Sequence, residues 1–255
     1  MRRVVDAAWL AEHLHDDDLV VGDVRGPNAH MRGHIPGSRP LVLGSPPPGA
    51  DEPMVRELAK EVELRLRRHG ITGDERLVLV DRGDGMGAMP AAQLAELAGH
   101  TRVAILLGGM AGWEGEIAEG PVVLEPVRTS SLEPSPRAFP TRQEIASRLD
   151  DSALTLLDVR RDEEYTGKHG SACDPRQGHI PGAKNLDVYR LMEMTTDEVR
   201  AHLGLEPGSE VIAYCHSGSR SAIATQVLNA LGYEGRNYVG SWHEWSRHDD
   251  LPIET

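Results

Sequence analysis

Four short motifs occur twice, in the same order, in this chain of 255 residues. LVVGDVR (Leu19 to Arg25) returns as LTLLDVR (Leu154 to Arg160), and GHIPG at Gly33 to Gly37 returns at Gly178 to Gly182. LVLVD (Leu77 to Asp81) matches VIAYC (Val211 to Cys215), and GGMAGW ending at Trp113 matches GSWHEW ending at Trp245. Four landmarks in one order mean a duplicated domain. The shift is 135 residues at the first motif and 145 at the second, so the second copy carries ten extra residues between Arg160 and Gly178.

Each copy alternates short apolar runs rich in Val, Leu and Ile with segments of helical period. Leu19 to Val24, Leu77 to Val80, Leu154 to Val159 and Val211 to Tyr214 read as buried strands. Met54, Leu58, Val62 and Leu66 recur every four residues before Gly70, a helix with its C-terminal stop. Asp6 opens an amphipathic run in the first copy. Thr141 opens its counterpart, with Glu144 completing an expected capping box. Strands alternating with helices predict an α/β fold, here two domains that each hold a parallel sheet flanked by helices. Between them Glu125 to Pro140 holds four prolines and three serines and reads as a semi-extended linker. The expected division is 1–125, a linker over 126–137, and 138–255.

The formal net charge is −13, which argues against nucleic acid as a partner, and no apolar run reaches the roughly 18 residues that span a bilayer. With no apolar signal core behind Met1, the expectation is a cytoplasmic protein without membrane association. Two cysteines, Cys173 and Cys215, exclude a disulfide framework and a four-cysteine zinc site. The 12 histidines show no paired ligand spacing, so neither metal nor cofactor is expected.

The strongest chemical signal is the run from Val211 to Ala222, in which a buried strand ends at Cys215 and passes through His216, Ser217, Gly218 and Ser219 to Arg220 and a helix from Ser221 to Leu231. Loop amides and a helix N-terminus aimed at the sulfur stabilise thiolate and lower its pKa below the ~8.5 of a free cysteine. Such a thiolate is a nucleophile at neutral pH. Arg220 and the amides of Ser217 to Ser219 are the expected anion holders, and His216 adds positive charge or faces solvent.

Asp-Val-Arg after a strand, Gly-His-Ile-Pro-Gly, Cys-x-x-Gly-x-Arg-Ser and Gly-x-Trp-x-x-Trp together resemble the rhodanese superfamily, in its tandem thiosulfate or 3-mercaptopyruvate sulfurtransferase form. The resemblance covers nearly the whole chain. It implies two rhodanese-like domains, and a Cys215 that takes a sulfane sulfur from a small anionic donor, rests as a persulfide and passes the sulfur to cyanide or a thiol. It implies no cofactor, and it admits a thioredoxin-like reductant as partner. Thiosulfate is the preferred donor and 3-mercaptopyruvate the alternative. The loop is Cys-x4-Arg, one residue shorter than the Cys-x5-Arg of cysteine phosphatases, which ranks phosphatase or arsenate reductase activity lower. A sulfur-relay module without small-molecule turnover is the other reading. In the first copy Asp81 stands where Cys215 stands in the second, and Met86 where Arg220 stands. A carboxylate cannot carry sulfur, so that copy reads as an inactive structural partner walling one side of the site.

Among the supporting residues, Asp158 and His179 recur in both copies and read as architecture, and Trp242 reads as core or pocket wall. Arg160 recurs too, and is expected both to orient the loop and to bind donor. The resemblance places Arg176 among the donor-binding residues. It also implies an arginine six residues after the strand-end Asp158, where this chain has Glu164; Arg160, Arg161 and Arg176 are the nearby replacements. The ten-residue insertion is expected to form the pocket rim. Within it Cys173 reads as an exposed loop thiol, with resolution of a Cys215 persulfide or a reversible disulfide as the sharper alternative.

Overall fold

The repeated apolar runs are the central strands of two separate parallel sheets. The computed structural model describes residues 4–44, 50–134 and 139–255. These form two compact units, one drawn from 4–44 with 56–134 and the other from 50–55 with 139–255.

The first unit begins with β1 (Val4–Val5), α1 (Ala7–His13), β2 (Leu19–Asp23), α2 (Pro27–Arg32) and β3 (Arg39–Pro40). Then come α3 (Glu52–Arg68), which contributes residues from 56 onward, β4 (Arg76–Val80), α4 (Ala88–Leu97), β5 (Val103–Leu106) and a 3-10 turn at Gly109–Gly112. Its five strands are parallel in the order β1-β5-β4-β2-β3. Asp6 caps α1 by accepting from the Trp9 amide at 2.8 Å. Beyond α3, Gly70 takes φ +74°, as expected of a residue ending a helix. Val21, Ile35, Val78, Val80, Leu106 and Trp113 belong to one buried cluster. The described part of the expected linker is laid against this unit. The Val127 amide donates to Arg67 O at 3.0 Å and the Ser131 amide to Thr72 O at 2.8 Å, with Leu132 buried. Residues 135–137 of that linker, and residue 138, where the second domain was expected to start, lie outside the described residues.

The second unit holds α5 (Arg142–Ser147), β6 (Thr155–Asp158), α6 (Asp162–Tyr165), β7 (Lys184–Asn185) and α7 (Val188–Glu193). It continues with α8 (Thr196–Leu203), β8 (Glu210–Tyr214), α9 (Ser219–Ala230), β9 (Glu234–Asn237) and α10 (Ser241–Trp245). The four strands are parallel in the order β7-β6-β8-β9. Thr141 accepts from the Glu144 amide at 3.1 Å, but the reciprocal half of the expected capping box is not made. The Glu144 carboxylate goes to Arg236 instead, at 3.0 Å, because a guanidinium offers it a full charge where a backbone amide offers a dipole. Ile145, Leu156, Ile180, Ile212, Tyr238, Trp242 and Trp245 form the core cluster.

The sheet register decides where chemistry can occur. Asp158 pairs across β6 and β8 with Tyr214, so the next residue, Cys215, emerges at the carboxyl end of the sheet, where α/β folds bind ligands. In the first unit Asp23 pairs with Val80 in the same way, which brings Asp81 to the corresponding place. No helix among the described residues is long and apolar enough to cross a membrane.

Candidate active site

The Asp-Val-Arg motif pins the strand end to the Gly-His-Ile-Pro-Gly turn in both units by the same contacts. Arg160 Nε donates to both Asp158 oxygens at 3.0 Å, and its Nη2 donates to Asp158 Oδ2 at 2.5 Å and to Gly178 O at 2.7 Å. Arg25 repeats this with Asp23 and with Gly33 O at 2.6 Å. Arg160 is 1% exposed and its guanidinium carbon lies 4.8 Å from the Trp242 ring centroid. It therefore cannot reach a donor, which corrects the expectation that it binds one. Trp242 is core, its indole N–H donating to Arg176 O at 3.2 Å.

Arg176 is the second correction. Its guanidinium donates to the carbonyls of Trp245, Ser246, His248 and Leu251, and so fastens the insertion to the end of α10. His179 Nδ1 donates to Tyr165 O at 2.9 Å, and its ring stacks on Tyr165 at 3.7 Å. That is a structural setting, as in His34, whose Nδ1 meets His30 O.

Around Cys215 the loop closes on the sulfur. The Gly218 amide donates to Sγ at 3.2 Å and the Ser221 hydroxyl at 3.5 Å. Gly218 has φ +88°, and a Cβ there would stand 2.9 Å from Val239 O, so the turn requires glycine. Ser219 opens α9, two residues earlier than the expected Ser221. From the other side α10 holds the loop. Trp242 N donates to Cys215 O and His243 N to His216 O, both at 3.0 Å, and the Ser241 hydroxyl accepts from the Cys215 amide at 3.1 Å. Cys215 is 1% exposed. Burial pushes its thiol up, but the Arg220 charge, then the Ser221 hydroxyl and amide and the Ser217 amide, pull it further down, leaving it below the ordinary range.

Arg220 lies at the mouth, yet its charge is spoken for. Its Nη1 and Nη2 donate to the two oxygens of Glu164 at 2.8 and 2.9 Å. Burial pushes the Glu164 carboxyl up, and the Arg220 hydrogen bond and charge more than offset this, so it sits below its usual range. A pocket of about 550 Å³ opens here, lined by Arg161, Glu163, Glu164, His169, Ser171, His216 and Arg220 among others. The insertion does form its rim, and of the three arginines near Glu164 in sequence only Arg161 lines it.

A further set of donors was not legible beforehand. His216 Nε2 lies 3.2 Å from Asp174 Oδ2, and His243 Nδ1 lies 2.9 Å from Asp174 Oδ1. The hydrogen bond to Asp174 raises the His216 pKa against burial. Cys173 Sγ stands 3.7 Å from His216 and 3.6 Å from His243. These four side chains could hold a metal ion, although the sequence, scanned for local ligand spacing, suggested none. Ser221 and Ser241 were also missed as contacts of Cys215. Both lie inside repeated or motif segments, where a hydroxyl one residue beyond Arg220 or Gly240 was the available signal.

In the first unit the equivalent loop is filled from within. Asp81 Oδ1 accepts from the Gly83 amide at 2.9 Å, and Oδ2 from the Gly87 and Ala88 amides, both at 3.1 Å.

Comparison with known proteins agrees with this geometry. A model of the rhodanese-like domain matches twice, at residues 6–116 and 141–248. A thiosulfate sulfurtransferase of Azotobacter vinelandii is 30% identical, over 98% of this chain and 96% of its own length. A 3-mercaptopyruvate sulfurtransferase of Escherichia coli K12 is 28% identical, over 98% of this chain and 97% of its own. A crystal structure of a probable thiosulfate sulfurtransferase superposes with a TM-score of 0.76 at 34% identity, covering 94% of this chain and 98% of that one.

Proposed function

This chain belongs to the rhodanese family, as two matched domains with sulfurtransferase relatives along its length, and we propose that it transfers the outer sulfur of thiosulfate through a persulfide on Cys215. The observation that carries this reading is the buried Cys215 sulfur at the head of α9, held by an amide and a hydroxyl with the Arg220 charge beside it. The thiolate attacks the outer sulfur of thiosulfate. A new S–S bond forms, the old one breaks, and sulfite leaves with its electron pair. The loop donors that held the thiolate then hold the persulfide. Cyanide carbon attacks the terminal sulfur, thiocyanate departs, and the thiolate is restored. A thioredoxin-like dithiol would instead release hydrogen sulfide and become a disulfide. Arg220 and Arg161 supply positive charge for the sulfonate oxygens from the pocket wall, with His216 lining the same pocket. 3-Mercaptopyruvate is the alternative donor, supported by its namesake relative. Asp158, Arg160, Arg176, His179 and Trp242 are positioning residues in this scheme.

Intact-protein mass spectrometry tests it. After thiosulfate the wild type should gain one sulfur, about 32 Da, that cyanide removes, and Cys215→Ser should gain none. Loading only by 3-mercaptopyruvate would replace the donor, and no loading by either would reject the mechanism.

A further inference from the structure

We propose that Cys173, Asp174, His216 and His243 form a binding site for a zinc-class divalent cation at the pocket rim. Three separate segments supply the ligands: the insertion gives Cys173 and Asp174, the loop after β8 gives His216, and α10 gives His243. Their donor atoms all lie within 4.8 Å of one another.

The sulfur separations are close to those around a common centre. With Zn–S near ~2.3 Å and Zn–N and Zn–O near ~2.0–2.2 Å, a tetrahedron has S···N and S···O edges of about 3.6 Å and N···O edges of about 3.4 Å. Here the Cys173 Sγ stands 3.7 Å from His216 Nε2, 3.6 Å from His243 Nδ1 and 3.8 Å from Asp174 Oδ1. The imidazole to carboxylate separations are shorter, 3.2 Å from His216 to Oδ2 and 2.9 Å from His243 to Oδ1, and draw in as hydrogen bonds do. Without an ion, hydrogen bonds to Asp174 hold both imidazoles in place. Each imidazole nitrogen faces a sulfur and an oxygen at once, and a single N–H points along one direction. A cation between the four donors satisfies all of them.

The surroundings are those of a supported site. The Asp174 side chain is 1% exposed, and those of His216 and His243 are 26% and 16% exposed. Arg247 donates to Asp174 Oδ1 at 3.2 Å and to the carbonyls of Cys173 and His243, both at 2.5 Å. It supports the Asp174 carboxylate at Oδ1, the oxygen that also faces Cys173 and His243, and its hydrogen bonds fix the two segments relative to each other. Ser171 Oγ lies 3.0 Å from the Cys173 sulfur. A thiolate, a carboxylate and two imidazoles balance a doubly charged ion, and this mixed set with tetrahedral spacing selects zinc or cobalt over magnesium or calcium. Four protein ligands leave no open position, so the ion fastens the rim insertion to the residue next to Cys215. It also commits Cys173, which then cannot resolve a persulfide on Cys215.

The test uses the full chain stripped with a chelator and given zinc or cobalt alone. In a Cys215→Ser background, where sulfur transfer is absent by design, one ion per chain should bind. The cobalt form should show a thiolate charge-transfer band and the strong visible bands of tetrahedral cobalt. Cys173→Ser, at an exposed position, should lose the charge-transfer band, and Arg247→Ala should weaken zinc binding roughly 10- to 100-fold. His243→Gln should weaken it at least as much. No zinc retained above a buffer blank would overturn the proposal. So would zinc that survives Cys173→Ser but is lost in Cys215→Ser, since the ion would then sit on the other thiol.

Discussion

Replacing Glu164 by Gln should make this protein bind thiosulfate more tightly. Glu164 sits where the family resemblance implies an arginine, and its carboxylate takes both terminal nitrogens of Arg220 at 2.8 and 2.9 Å. A donor seated on the open side of that guanidinium lies about 7 Å from the carboxylate. At an effective dielectric constant of about 40, suited to a pocket open to water, one unit charge at that distance is worth about 1.2 kcal/mol. Thiosulfate carries two charges, and salt screening takes back part of the total. The net expectation is about 1–2 kcal/mol, a roughly 5- to 30-fold fall in KM for thiosulfate at low salt, shrinking as salt is added. Gln keeps a hydrogen bond to Arg220, so the side chain stays in place. Thiocyanate formation from thiosulfate and cyanide gives KM and kcat separately, with a neutral organic trisulfide as the uncharged comparison donor. An unchanged thiosulfate KM would refute the reasoning. An equal gain with the neutral donor would also refute it, because Glu164 would then act on the thiol and not on the donor.

Two stability predictions follow from paired charge. Arg160→Leu leaves Asp158 buried and uncompensated, so urea unfolding of the second unit should show a loss of about 3–5 kcal/mol; a loss below about 1 kcal/mol would contradict the pinning role. Glu210 accepts from Arg148 at 2.7 Å and from Arg236 at 2.7 Å, and the Arg148 hydrogen bond, against burial, holds its carboxyl below the usual 4.5. A depressed folded pKa stabilises above the unfolded value and is lost as pH falls through the folded one. Glu210→Gln should therefore cost about 1–3 kcal/mol at neutral pH and nothing once the pH is below the folded value, which urea midpoints across that range would check.

What the sequence discloses here is what repeats locally. The strand ends at Asp158 and Cys215 could be read because an apolar run stopping at a polar residue marks a sheet edge, and the double occurrence of each motif removed the ambiguity of a single match. The roles of Arg160 and Arg176 could not. An arginine near a site has the same letter whether it faces an anion or carbonyls, and only the buried Asp158 and the four carbonyls after Trp242 distinguish the two. Asp174 and His243 were invisible for a related reason. They lie 69 residues apart and meet only because the insertion folds back onto α10. The pairing of Glu164 with Arg220 is separated by 56 residues, so a departure from the expected arginine could be noticed but not its partner.

The Asp81 loop is best understood through effective concentration. Its carboxylate sits at the start of the loop whose amides, from Gly83 and Gly87 to Ala88 at the head of α4, bind it, so it competes for them as a tethered ligand, at a local concentration that free anions do not match. On our proposed reading, the first unit takes up no sulfur donor because this carboxylate already fills its loop. A loop that must receive anions from solution cannot carry such a tether. In the second unit the corresponding atom is a single sulfur, small enough to share its donors with whatever arrives.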